Sequence, residues 1–488
     1  MTLTVELERA LPRVLPADSP TVVYCTGSCW HDEREIVGLD VLVDGIPRAV
    51  TAFGMPRPDL GSVAGMPEPA SHGGFWALIT VPGRGAPGSL ELDLRARLRD
   101  GSVAVCALAR VEISPRPPAP AGPATPADQE LDTIAVCMAT YEPDIALLTA
   151  QIDSLRRQTD HGWICLISDD GSSPGAWAKL TELIGDDPRF TVSRSPERRG
   201  FYRNFERALE MVPLRAGLVA LCDQDDRWHP DKLASLRAGL GEAMLAYSDM
   251  RLVGADGTVF RDTLWRGRAN NHHSLVSVLV ANTITGAACL FRRELLELAL
   301  PFPDTPGFQF HDAWLAVVAL AAGPVAYVDR ALYDYVQHPG AVFGDVTHGQ
   351  RGSEGGRIAA WWAQLRTDGG RAAYFYGYLA RAAQAQAVLA RCDHRLEAPK
   401  RRELERFLAC DGSWLALAWL GLRPLRSLLG HTETLGSELG LAQGVLWKTL
   451  TARASRRPRL ARGPLADAAV PPPQTFSQKR LRAWRSRL

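Results

Sequence analysis

Between Leu131 and Thr347 four short apolar runs, TIAVCMA, WICLISD, RFTVSRS and GLVALCD, alternate with segments of helical spacing. The runs are too short for buried helices and mostly lack the in–out alternation of a half-solvated strand. Each therefore reads as a strand covered on both faces. The intervening PDIALLTAQIDSLRRQ and GFYRNFERALEMV place apolar residues three and four apart, as an amphipathic helix requires. Strand, helix, strand repeats of this kind predict a doubly wound, Rossmann-like α/β sheet. Ligands of such sheets bind outside the carboxyl ends of the strands. The residues that follow each run are therefore the ones to read for function.

The flanking segments follow different rules. Residues 1–113 hold TVVYC, VGLDVLVDG, GFWALITVP, SLELDLRARL and SVAVCALARVEI, punctuated by Gly and Pro. Leu90, Leu92 and Leu94 alternate with charged neighbours, so they share one face. An antiparallel, immunoglobulin-like β-sandwich of accessory character is expected here. Phe75 and Trp76 fit a sugar platform or buried strand positions equally. Residues 114–130 form a Pro-rich spacer that cannot join a packed element. The α/β domain then occupies 131–350, a helical region 351–470 and a basic tail 471–488. From Arg453 onward, ten Lys and Arg residues face Asp467 as the single acid. That stretch reads equally as a contact for an anionic membrane and as a solvated terminus.

Composition narrows the partners. A formal net charge of +1 gives no footing for nucleic acid. Nine cysteines, most inside apolar runs, behave as small buried hydrophobes and favour a reducing cytoplasm. Cys25, Cys29 and His31 lack a second ligand pair, so zinc is not expected there. The N-terminus has no signal-peptide h-region, and no stretch approaches the ~20 apolar residues of a membrane span. The expected location is cytoplasmic, with the tail offering contact to the inner face of the membrane.

Chemistry concentrates at three strand ends. Ala139-Thr140-Tyr141-Glu142-Pro143 follows the first run, where a small hydroxyl suits a flat ring or a phosphate. Ser168-Asp169-Asp170-Gly171-Ser172 follows the second; its paired carboxylates suit a nucleobase N–H or ribose hydroxyls, or else an Asx turn that caps the next helix. The fourth run ends in Asp223-Gln224-Asp225-Asp226-Arg227-Trp228-His229-Pro230. Three acids within four positions make a concentrated negative field that a hard divalent cation, Mg²⁺ or Mn²⁺, would neutralise. A cation so held can bridge a diphosphate leaving group.

The ordered set ATYEP, SDDGS and DQDD-x-W-x-P-D-K-L resembles the family 2 glycosyltransferases of the GT-A fold, and within them the bacterial rhamnosyltransferase-like enzymes of surface-polysaccharide assembly. Gly200-Phe-Tyr-Arg-Asn204, Thr285-Gly286-Ala-Ala-Cys-Leu-Phe-Arg-Arg, Phe310-His311-Asp312-Ala313-Trp314 and Tyr335-Val-Gln337-His338 extend the resemblance over about Ile134 to Gly344. It implies an inverting transferase that moves a sugar from a dTDP- or UDP-sugar, rhamnose first, to a glycan or lipid-linked glycan. Thr140, Glu142, Asp169, Asp170, Asn204 and Asp223 would hold the donor, and Asp223, Asp225 and His338 the metal. Asp312 would be the general base, with Gly286, His311 and Trp314 on the acceptor side. The chain departs from the pattern at Arg198-Arg199, Val336 and Val342. A nucleotidyltransferase would carry a Gly-rich basic loop after its first strand, and a glycan-binding scaffold would need neither the acidic cluster nor Asp312. A processive synthase would carry spanning helices and Gln-x-x-Arg-Trp.

Overall fold

A computed structural model of the chain describes residues 3–61, 68–115, 133–265, 270–307, 310–338, 368–428 and 437–455. Residues 116–130 of the Pro-rich spacer, Val342 and the basic tail lie outside the described residues. Nine strands fill the first segment: β1 (Leu3–Leu7), β2 (Val14–Pro16), β3 (Thr21–His31), β4 (Ile36–Val43), β5 (Ile46–Ala49), β6 (Ala52–Met55), β7 (Gly74–Val81), β8 (Gly88–Leu98) and β9 (Val103–Ser114). They form two sheets, ordered β1-β3-β7-β6 and β2-β9-β8-β4-β5. Leu90, Leu92 and Leu94 project from β8 into a core shared with Val23, Cys25 and Phe75 of the other sheet. All the pairings are antiparallel except the edge pair β2–β9. Burial pushes the Cys25 and Cys29 thiols up to about 12, the behaviour of buried hydrophobes. All nine cysteines are free.

The second sheet is built on β10 (Ile134–Thr140), β11 (Trp163–Asp169), β12 (Phe190–Arg194) and β13 (Leu218–Cys222), which match the four apolar runs. Their order is β12-β11-β10-β13, all parallel, so the strand order reverses between β10 and β13. A crevice opens at such a reversal. Helices α1 (Ile145–Arg156), α2 (Pro174–Ile184) and α3 (Phe201–Glu210) return the chain between these strands. The Asp144 carboxylate starts α1 by accepting from the backbone of Ala146 and Leu147, and Ser173 with Pro174 starts α2.

Beyond β13 the sheet departs from a fully parallel, doubly wound arrangement. A two-residue strand β14 (Arg227–Trp228), helix α4 (Lys232–Leu240), β15 (Leu245–Gly254) and β16 (Val259–Arg261) lead through α5 (Leu275–Val280) to β17 (Cys289–Arg292), α6 (His311–Ala322) and β18 (Val325–Gln337). The sheet continues β13-β17-β15-β18-β14, with β17 antiparallel to both neighbours and β18 parallel to β15. Only its first half follows the strand–helix alternation.

The C-terminal helices α7 (Ala380–Arg391), α8 (Ala398–Leu408), α9 (Trp414–Leu422) and α10 (Ser437–Ser455) join the two sheet systems. Trp76 of β7 points away from the sandwich core. Its ring lies 4.9 Å from Phe375 and 5.8 Å from Tyr374, and its N–H donates to the Tyr374 hydroxyl at 3.3 Å. Phe75, its neighbour, fills the sandwich interior. Both rings are buried, so neither offers a sugar platform. Arg391 donates to the Pro20 carbonyl in the sandwich at 2.7 Å, and to those of Ala299 at 3.0 Å and Pro301 at 2.6 Å in the α/β domain. Trp76→Ala should therefore cost about 3–5 kcal/mol, read as a lower denaturant midpoint for the domain contact. A midpoint equal to the wild type would mean that this contact does not couple the domains.

Candidate active site

At the ends of β10 and β11 the polar side chains satisfy one another. Asp169 is fully buried. It accepts from the Thr140 hydroxyl at 3.2 Å, the Ser172 hydroxyl at 2.5 Å and the Ser172 amide at 2.9 Å. Asp170 accepts from the amides of Arg199 at 2.7 Å and Gly200 at 2.8 Å. Gly200 has no side chain to cap α3, so a carboxylate from the neighbouring strand holds the start of that helix. Asn204 accepts from Ser168 Oγ at 2.6 Å and donates to the Thr140 carbonyl at 3.1 Å. Glu142, in the left-handed region at φ 41°, accepts from the Ser173 amide at 2.5 Å. Thr140, Glu142, Asp169, Asp170 and Asn204 thus meet at one strand terminus. Asp169 closes the turn at the end of β11, and Asp170 secures the start of α3 through space.

Two residues without an assigned role in the sequence reading belong to this edge. The Arg198 guanidinium lies 4.1 Å from the centroid of the Tyr141 ring, a cation–π contact at the mouth of the strand ends. Gln224 accepts from the Tyr141 amide at 2.9 Å and donates to its carbonyl at 3.3 Å. That two-point clasp ties the acidic loop after β13 to the end of β10. Its signal was the single amide between three acids.

The acidic loop itself is short of compensating charge. Burial pushes the Asp223 carboxyl up to about 7, and the negative fields of Asp225 and Asp312 add to the shift. Asp226 is fully buried; one oxygen accepts from the Val336 amide at 3.3 Å and the other finds no hydrogen bond among the described residues. Asp225 lies 2.9 Å from His338 Nε2, and this hydrogen bond raises the imidazole pKa. Beneath the loop Lys232 is fully buried, its ammonium 3.6 Å from the Trp228 ring centroid and 4.5 Å from that of Tyr333. It donates to the Ala287 carbonyl. Burial pulls its pKa down to about 7 against the fields of Cys222, Asp226 and Asp223.

The loop is pinned on its far side by β18. Arg227 and Trp228 pair with Asp334 and Tyr333. Asp334 also meets His229 at 2.9 Å and Arg251 at 2.6 and 2.8 Å. Burial raises the Asp334 carboxyl, but His229 and Arg251 outweigh it and hold it at about 2.

Asp312 enters from α6, where its carboxylate accepts from the Ala313 amide at 2.6 Å. Gly286 is required here by the close approach of α6. A Cβ on Gly286 would stand 2.7 Å from His311 Nε2 and 3.3 Å from the Asp312 Cβ, so its bareness lets α6 approach. His311 is buried, stacked 3.7 Å from Phe205, and burial lowers its pKa to about 3. Trp314 is fully buried, donates to the Ala299 carbonyl at 2.9 Å and lies under Arg391. Neither His311 nor Trp314 presents a face to an acceptor, because both lie on the packed side of α6.

The donor set fits a divalent cation. It offers carboxylate oxygens, one imidazole and a buried oxygen without a hydrogen bond. Among the described residues no three such side chains already stand gathered as ligands. Mg²⁺ commonly takes one or two carboxylates and completes its shell with substrate phosphate and water.

Comparison with known proteins follows the same line. Residues 135–298, about a third of the chain, match the sequence model of Glycosyl transferase family 2. An uncharacterized protein, y4gI, of Sinorhizobium fredii is 30% identical over 129 residues, which are 26% of this chain and 14% of that protein. The chain thus spans about a seventh of that relative's length. Among solved structures, S. aureus TarS 1–349 with UDP-GlcNAc is 15% identical, with a TM-score of 0.38, over 64% of this chain and 90% of that one. The mannosyltransferase PcManGT of Pyrobaculum calidifontis, with GDP-Man and Mn²⁺, is 18% identical, with a TM-score of 0.37, over 68% and 91%.

Asp223 sets a pH signature. Its folded pKa of about 7 stands above the ordinary carboxylate value of 3.8. The folded state therefore holds its proton more tightly, and stability drains away as pH rises from about 4 to about 7. Asp223→Asn should raise the melting temperature above pH 7, by roughly 1–3 kcal/mol of stability, and the gain should vanish toward pH 4. A variant no more stable than the wild type at pH 8 would remove the charge conflict from this account.

Proposed function

We propose, from the match of residues 135–298 to the sequence model of glycosyl transferase family 2, that this chain is an inverting, metal-dependent glycosyltransferase acting on a nucleoside-diphosphate sugar. The reading is carried by one observation: Asp312 and the carboxylates after β13 converge from opposite elements, closely enough for Asp312 to raise the Asp223 pKa. An in-line displacement needs that arrangement, with a base on one side and a leaving-group site on the other. The nucleoside would lie at the ends of β10 and β11, framed by Thr140, Glu142, Asp170 and Asn204, with Asp169 as the strut beneath. Asp225 and His338 would hold a Mg²⁺ or Mn²⁺ ion together with Asp223. When bound, the ion supplies charge neutralisation for the diphosphate as it leaves.

Asp312 acts as the base. The proton of an acceptor hydroxyl passes to its carboxylate while the acceptor oxygen forms a bond to the anomeric carbon. The bond from that carbon to the diphosphate oxygen breaks, and the nucleoside diphosphate departs with the electron pair. Attack from the face opposite the leaving group inverts the configuration. The Gly286 turn holds α6 close enough to keep Asp312 in place. Rhamnose from a dTDP donor is the first assignment, with UDP-sugars next. The acceptor is a glycan or lipid-linked glycan of the cell surface, handled by a protein at the inner face of the membrane. Among the described residues no helix is long and apolar enough to cross a membrane.

Thermal unfolding against a panel of nucleotides tests the donor site, since a ligand that prefers the native state must raise the midpoint. dTDP or UDP should raise it only with Mn²⁺, and Asp225→Ala should abolish the shift. No nucleotide shift under any condition would overturn the reading. Asp312→Asn should keep the nucleotide-dependent shift yet slow release of the nucleoside diphosphate to an acceptor by about 10²-fold or more. Unchanged turnover would take Asp312 out of the mechanism.

A further inference from the structure

Helix α9 is apolar around nearly its whole circumference, WLALAWLGL, yet among the described residues only one side of it is buried. Ala416 and Leu420 are buried against the body of the protein. On the other side Trp414 is 51%, Leu415 83% and Leu422 61% exposed, and Leu425, just past the helix, is 54% exposed. At about 100° per residue, positions 414, 415, 418 and 422 fall within an arc of about 100°. A helix with two apolar sides and one covered has a second apolar environment to meet.

The charges around this face indicate which environment. Apart from the buried Arg423, residues 398–428 carry five Lys and Arg against three acids. Arg406, exposed on α8, lies 4.8 Å from the Trp419 ring centroid, and Arg426 follows Leu425. Apolar side chains including Trp, bordered by cations, match the chemistry of an anionic lipid interface. A protein partner of acidic character would match the cations but would not need Leu415 at such exposure.

The face is held firmly. Ser413 caps α9 by accepting from the Ala416 amide. At its other end the buried Arg423 donates to Ser277 Oγ of α5 at 2.8 Å and lies 3.7 Å from Glu438 of α10. Helix α5 packs on α6, and the chain leaving α5 reaches the Gly286 turn against Asp312. We propose that the exposed face of α9, with Leu425, is a docking surface for an anionic lipid bilayer, which brings the base side of the site to acceptors carried on that membrane. The link to acceptors rests on the proposed transferase reading; the docking does not.

The test uses the full-length chain and vesicles of phosphatidylcholine with or without phosphatidylglycerol, read by co-sedimentation, so that lipid binding is scored without turnover. The wild type should bind the phosphatidylglycerol vesicles. Leu415→Glu/Leu422→Glu should bind them at least about tenfold more weakly, with an unchanged melting temperature because both side chains are exposed. Full-length protein with Arg480, Arg482, Arg485 and Arg487 each replaced by Gln should stay within about threefold of the wild type at moderate salt. Failure of the wild type to bind, equal binding by the Leu variant, or loss of binding only in the Arg variant would overturn the proposal. So would a wild-type dimer that the Leu variant breaks, which would assign the face to a second copy of the chain.

Discussion

Carboxylates crowded at a buried strand end are the constraint around which the α/β domain is arranged. Asp223, Asp225 and Asp226 follow β13 within four positions, and Asp312 adds a fourth charge from α6. Leaving such charges in a protein interior costs several kcal/mol per ion unless they are paired. The fold answers only in part. Lys232 lies below, His338 meets Asp225, and the Val336 amide reaches Asp226. One Asp226 oxygen is left without a hydrogen bond, and Asp223 is pushed toward its neutral form. A site that keeps this conflict is less stable than it would otherwise be, and under the proposed function a bound cation would relieve it.

Keeping that loop in place falls to side chains that would not be selected for chemistry. Gln224 clasps the Tyr141 backbone from one side, while β14 pairs with β18 on the other. Asp334 then ties β18 to Arg251 of β15 and to His229 beyond the loop. The same division appears at the ends of β10 and β11. There Asp169 and Asp170 hold a turn and a helix start, so the strand ends are shaped by hydrogen bonds of the chain itself. Preorganisation of this kind reduces the ordering that binding a ligand would otherwise require.

These arrangements explain which features were legible in the chain. Strands β10 to β13 and the alternation at Leu90, Leu92 and Leu94 follow from local period and burial, so they could be read directly. The acidic cluster was legible because three like charges after an apolar strand admit few explanations. The antiparallel strand β17 was not, since its pairing with β13 and β15 depends on contacts distant in sequence. The packing around Gly286 and Trp314 was not legible for a related reason, since their neighbours are distant in sequence: one makes room for α6, and the other fills the volume under Arg391.

Arg391 shows how far such packing reaches. Its guanidinium donates to carbonyls of the sandwich and of the segment before α6, joining two sheet systems through one cation. Its partners at Ala299 and Pro301 lie just ahead of the helix that carries Asp312, and Trp314 donates to the same Ala299 carbonyl. Carbonyls at the end of the short helix Leu295–Ala299 are thereby satisfied in part from outside the α/β domain. The sandwich and the C-terminal helices thereby brace the segment that leads into α6.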